Sequence, residues 1–119
     1  MLSESINLEK VIIENNFNDI LLTNVKYMFY NCNSLKYVDL SSFKSSFITE
    51  MDRMFENCKL LDISSFNTSK VTTIQNMFLN CVSLKHLKIN VDTSLVINMQ
   101  NMLYNCKSLL SLDLSSFNT

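Results

Sequence analysis

The chain has 119 residues, a formal net charge of -1, 47% hydrophobic and 18% charged residues, and neither glycine nor proline. That length suits one domain. The near-neutral balance offers no basic field to nucleic acid or an anionic membrane, and the apolar content argues against disorder. No apolar run reaches the roughly 20 residues that a membrane span needs, and Met1-Leu2-Ser3-Glu4-Ser5 lacks the basic start and apolar stretch of a signal peptide. With glycine absent, any left-handed backbone position falls to Asn or Asp.

In chain order, the first predicted element is half a unit: Leu8, Val11 and Ile13 read as a strand, followed by Phe17. Next comes Leu22, Val25, Met28, Phe29 and Cys32, whose spacing from Val25 is i, i+3, i+4, i+7, the stripe of a short helix. Leu35, Val38 and Leu40 then alternate as a strand and lead to Phe43. The pair of patterns recurs. The stripe returns as Ile48, Met51, Met54, Phe55, Cys58, as Val71, Ile74, Met77, Phe78, Cys81, and as Val96, Met99, Met102, Leu103, Cys106. The strand returns as Leu61 and Ile63, as Leu84, Leu87 and Ile89, and as Leu109, Leu112 and Leu114. Thr72 with Gln75, and less fully Thr49 with Asp52, read as capping boxes. Asn31, Asn57, Asn80 and Asn105 stand where each helix should end in a left-handed residue.

The cysteines recur at steps of 26, 23 and 25 residues. The second unit lacks three residues between Cys58 and Asp62 relative to Cys32 and Asp39, so Cys58 falls where the first strand leucine belongs. A repeat of this length predicts an α/β repeat, a leucine-rich-repeat solenoid of about five short parallel strands and four short helices. The units run 22–47, 48–70, 71–95 and 96–119 after a partial strand half over 1–21, in a single array over 1–119. Phe17, Phe43, Phe66, Val91 and Phe117 should form one column. Neither end carries a polar cap, so the chain reads as a fragment, a truncated gene product or a segment of a longer array.

Met54-Phe55-Glu56-Asn57-Cys58, followed by Asp62-Ile63-Ser64-Ser65-Phe66-Asn67-Thr68-Ser69 and Val71-Thr72, resembles the phrase of BspA-type leucine-rich-repeat surface proteins, and more closely the variant found in mycoplasma lipoproteins. The resemblance covers about residues 8–119 and departs from the family at the shortened second unit, at Lys88, at Asn90-Val91 and in the missing glycines. It implies exposure on a cell surface and binding of host or matrix proteins. Without such a context, a chain lacking a signal peptide would be cytoplasmic.

No catalytic constellation emerges. Zinc-type cysteine spacing is absent, and with no glycine there is no phosphate-cradling loop. The four cysteines occupy the apolar stripe and read as a buried column, with an oxidised pair or a ligand role as alternatives. The methionine column Met28, Met54, Met77 and Met102 reads as core filling, and His86 as a solvated surface residue. The expectation is therefore a protein that is not an enzyme, needs no cofactor or metal, and inserts into no membrane. Its contacts should lie on the outward strand positions: Tyr37, Asp39, Leu60, Asp62, His86, Lys88, Ser111 and Asp113. In this reading Asp39 and Asp62 are direct neighbours, a like-charge contact that suits a hydrated face, a basic partner or a divalent cation. Two functions fit: a protein-binding module, in adhesion or host and matrix binding, or a structural spacer or intracellular scaffold.

Overall fold

In a computed structural model of the chain, the described residues are 3–4, 7–13, 23–40, 47–58, 62–63, 68–88 and 92–117. They contain five short strands: β1 (Lys10–Ile12), β2 (Tyr37–Asp39), β3 (Asp62–Ile63), β4 (His86–Lys88) and β5 (Ser111–Asp113). β1, β2 and β3 pair in that order in one parallel sheet, and β4 pairs with β5 in a second.

The fold differs from the predicted α/β leucine-rich-repeat solenoid, because the described residues hold no α-helix and the strands fall into two separate small sheets. Each stripe taken for a helix is a run of tight turns. Within it, N–H groups alternate between two partners. Those of Met28, Tyr30 and Cys32 close i→i−3 turns on Val25, Tyr27 and Phe29. Those of Val25, Tyr27, Phe29 and Asn31 instead donate to the carbonyls of Glu50, Asp52, Met54 and Glu56 in the next unit, at 2.9–3.2 Å. The pattern repeats from Met51, Arg53, Phe55 and Asn57 to Thr73, Gln75, Met77 and Leu79, and from Ile74, Asn76, Phe78 and Asn80 to Asn98, Gln100, Met102 and Tyr104. An α-helix would consume these N–H groups internally. Here half of them bind units together.

Two left-handed residues per unit impose this path. Tyr27, Arg53, Asn76 and Asn101 have φ of 58°, 55°, 57° and 55°, and Asn31, Asn57, Asn80 and Asn105 have 58°, 63°, 61° and 64°. Seen four residues apart, they cannot belong to a right-handed helix. Glu4, at φ 63°, holds the asparagine position of the half-unit that precedes β1, and its N–H donates to the Tyr30 carbonyl. The capping boxes are absent with the helices. The Thr72 hydroxyl donates to the Thr49 carbonyl at 3.1 Å, and the Gln75 N–H is taken by the Asp52 carboxylate of the preceding unit at 2.9 Å.

The core runs between the turn rows and the strands. Val25, Phe29, Cys32, Met51, Met54, Phe55, Cys58, Ile74, Met77, Phe78 and Cys81 are buried, with Leu35, Val38 and Leu40 beneath them. Phe29, Phe55 and Phe78 stack nearly parallel, with centroids 5.3 and 5.6 Å apart. Met28 in the first unit is only partly buried, and Met99 in the last is exposed. Of the expected phenylalanine column, Phe117 packs on the core, while Phe17, Phe43, Phe66 and Val91 lie outside the described residues, as do Leu22, Leu61 and Ile89.

The shortened unit changes register. Tyr37 pairs with Asp62 and Val38 with Ile63. Asp62 therefore stands in the Tyr37 row, not beside Asp39, and the expected Asp39–Asp62 neighbour pair does not form. The slip is two residues, which preserves the inward and outward alternation. Nor does Cys58 replace a leucine: its thiol reaches the Phe29 carbonyl as that of Cys81 reaches Phe55 and that of Cys106 reaches Phe78, so it keeps the cysteine row.

Candidate interaction face

The outward strand residues are positioned by period-two alternation. Val11, Val38 and Leu87 point into the core, which turns Lys10 and Ile12, Tyr37 and Asp39, and His86 to the other side. The register brings Lys10, Tyr37 and Asp62 into one row. The Lys10 ammonium lies 5.4 Å from the centre of the half-buried Tyr37 ring, a cation–π contact that presents an aromatic surface with a basic edge. One residue before each strand, Lys36 pairs with Glu9 at 3.1 Å across the exposed edge. Sequence reasoning missed that pair, although its spacing of one unit was a usable signal.

In the second sheet His86 aligns with Ser111 and Lys88 with Asp113. The His86 Nδ1 and the Ser111 hydroxyl are 2.6 Å apart. Asp113 accepts the Ser115 N–H at 2.9 Å, which orders the bend after β5. The predicted set is thus divided: Tyr37, Asp39 and Asp62 on one sheet, His86, Lys88, Ser111 and Asp113 on the other, and Leu60 outside the described residues.

The opposite, turn side is a regular polar edge. Asn24, Glu50, Thr73 and Asn98 form isolated parallel bridges in succession. Lys26 reaches Glu50 at 2.8 Å and Asp52 at 3.3 Å, and the hydrogen bond it donates to Glu50 chiefly holds its ammonium above the ordinary lysine range. Asn57 donates its side-chain amide to Asn31, and Asn105 donates to Asn80 at 2.9 Å. Arg53 stacks 6.0 Å from the Tyr27 ring centre and pairs at 2.8 Å with Glu56, whose carboxylate is buried. Asp92 is held below the usual carboxylate range, first by the Ser94 N–H.

The cysteine row is the remaining chemical feature. All four are free thiols; Cys32, Cys58 and Cys81 are buried and Cys106 is partly exposed. Burial pushes the Cys58 thiol up to about 12. The neighbouring Cys106 thiol and burial push Cys81 up, and the neighbouring Cys81 thiol pulls Cys106 down. Among the described residues no three His, Cys, Asp or Glu side chains converge as a metal site would require, and no helix is long and apolar enough to cross a membrane.

No curated protein and no solved structure matches the chain. Residues 23–119 match a family model, and the chain belongs to the family described as Mycoplasma protein of unknown function, DUF285.

Proposed function

We propose that the chain is a non-enzymatic protein-binding module whose outward strand face contacts a host or matrix protein. One observation carries the reading. The core repeats like on like, as in the Phe29, Phe55, Phe78 stack, whereas the strand face changes chemistry from unit to unit: Lys10 with Tyr37, then His86 with Ser111. A stacked scaffold leaves its outward residues free to match an irregular partner. A half-buried Tyr beside a Lys is a suitable anchor for a protein surface. The likeness of the repeat phrase to BspA-type surface proteins supports a surface location.

The test is binding of the full chain to a panel of purified extracellular-matrix glycoproteins by surface plasmon resonance. Tyr37→Ser combined with His86→Ser should weaken the bound partner at least about tenfold, the effect of losing one anchor of ~1.4 kcal/mol. Lys26→Ala with Gln100→Ala, on the turn side, should leave binding unchanged. Equal loss from both pairs would remove the strand face from consideration. A chain inert toward the whole panel would favour the alternative, a spacer segment.

A further inference from the structure

We propose that the joint between the second and third units is a hinge, bonded along the turn rows and open between β3 and β4, so that the strand face consists of two halves that change their mutual angle. The turn side of this joint is closed. Met51, Arg53, Phe55 and Asn57 donate to the carbonyls of Thr73, Gln75, Met77 and Leu79 at 2.8–3.1 Å, and Phe55 stacks on Phe78. Thr68, just ahead of the third turn row, ties the same two units again. Its hydroxyl accepts the Asp92 N–H at 2.7 Å and donates to the Asp92 carbonyl at 3.2 Å.

The strand side differs. In the first sheet the Glu9 carbonyl accepts two N–H groups from the next unit, that of Lys36 at 2.8 Å and that of Tyr37 at 3.3 Å. In the second sheet the Lys85 carbonyl accepts those of Leu110 at 2.7 Å and Ser111 at 3.2 Å. At the joint the equivalent N–H groups belong to Lys85 and His86, and neither meets an acceptor among the described residues. Both residues are exposed, so leaving these groups to water costs little. β3 and β4 accordingly lie in separate sheets. The side-chain amide row is interrupted at the same place: Asn57 donates to Asn31 and Asn105 to Asn80, with no such bond between Asn57 and Asn80 among the described residues. Chain length supplies the cause. Val38, Leu87 and Leu112 each stand six positions after their cysteine, whereas Ile63, the partner of Val38, stands five after Cys58. From Ile63 to Val71 is eight positions, against ten from Val38 to Ile48 and nine from Leu87 to Val96. The second unit spans the same path on less chain, and its strand pairs with β2 alone. A joint held on one side and unheld on the other bends about the held side. Tyr37 lies on one half and His86 on the other, so a partner touching both would fix the angle; that consequence rests on the binding reading above, whereas the hinge does not.

The experiment needs neither a partner nor a variant, so its failure is separate from any failure to bind. Backbone N–H residual dipolar couplings are measured on the full chain in a dilute aligning medium, and native-state hydrogen exchange on the same sample. A rigid molecule has one alignment tensor. Here the couplings of residues 23–40 and 48–58 and those of residues 71–88 and 96–113 should require two tensors of different order. The Lys85 and His86 amides should exchange at least about tenfold faster than those of Lys36 and Tyr37, since only the latter pair has an acceptor in the neighbouring unit. A single tensor that fits both halves within error would overturn the proposal, because the joint would then be rigid. Protection of Lys85 and His86 equal to that of Lys36 and Tyr37 would overturn it as well, because β3 and β4 would then be joined.

Discussion

The left-handed residues show how a glycine-free chain makes its turns. Asparagine tolerates positive φ better than other residues with a Cβ, and it fills six of the eight turn-row positions. Tyr27 and Arg53 take the other two, and each recovers part of the cost through contact, Tyr27 with the Arg53 guanidinium and Arg53 with the buried Glu56 carboxylate. The buried thiols carry a second residue-level consequence. Cys58 keeps its proton in the folded state up to about 12, against 9.0 for the ordinary thiol. A raised acid contributes stability that is whole below the unfolded value and is lost as pH rises toward the folded one. The denaturation midpoint should therefore fall between pH 9.0 and about 12, and fall less in Cys58→Ala. Parallel pH profiles of the two proteins by urea titration would disprove this assignment.

At the scale of the element, the turn rows are bound by two systems. One is the alternating N–H pattern; the other is the aromatic stack. Phe55 is the middle ring, fully buried and stacked on both Phe29 and Phe78. Phe55→Ala removes a large buried side chain and both ring contacts, and should cost about 3–5 kcal/mol, a large fraction of the stability of a small domain. Phe55→Leu fills most of the space and should cost about half as much. Chemical denaturation checks both, and a loss under about 1 kcal/mol for Phe55→Ala would show that the stack relaxes into the gap. The strands contribute less, since each pairs over only two or three residues.

At the scale of the whole molecule the stack has a direction. N–H groups of each turn row point to the carbonyls of the next, so the two ends differ. At one end the N–H groups of Met99, Asn101, Leu103 and Asn105 meet no acceptor among the described residues, whereas their counterparts at Ile74, Asn76, Phe78 and Asn80 are all bonded. Exposed Ile97, Met99, Tyr104, Leu110, Leu112 and Leu114 line the same end. Native-state hydrogen exchange should find the first four amides fast and the second four protected at least a hundredfold more, as local opening follows unpaired, solvent-facing backbone. Equal protection of the two sets would mean that this end is covered in solution.

Much was legible without coordinates. The repeat phrase identified the buried columns, because any stacked arrangement puts like residues on like: Val25, Phe29 and Cys32, with their copies in the second and third units, are all in the core. The outward alternation at Tyr37, Asp39 and His86 was legible too, being a property of a strand by itself. Helix against turn was not. An i, i+3, i+4, i+7 stripe describes a helix face, and equally a run of turns that sends Val25, Phe29 and Cys32 inward. The choice depends on whether an N–H finds its acceptor in its own chain segment or in the next unit, and that acceptor exists only once the units stack. The register of Asp62 was hidden for a similar reason: a slip of two residues leaves every side chain on its proper face, so the hydrophobic pattern accepts either alignment, and only the pairing of Val38 with Ile63 selects one.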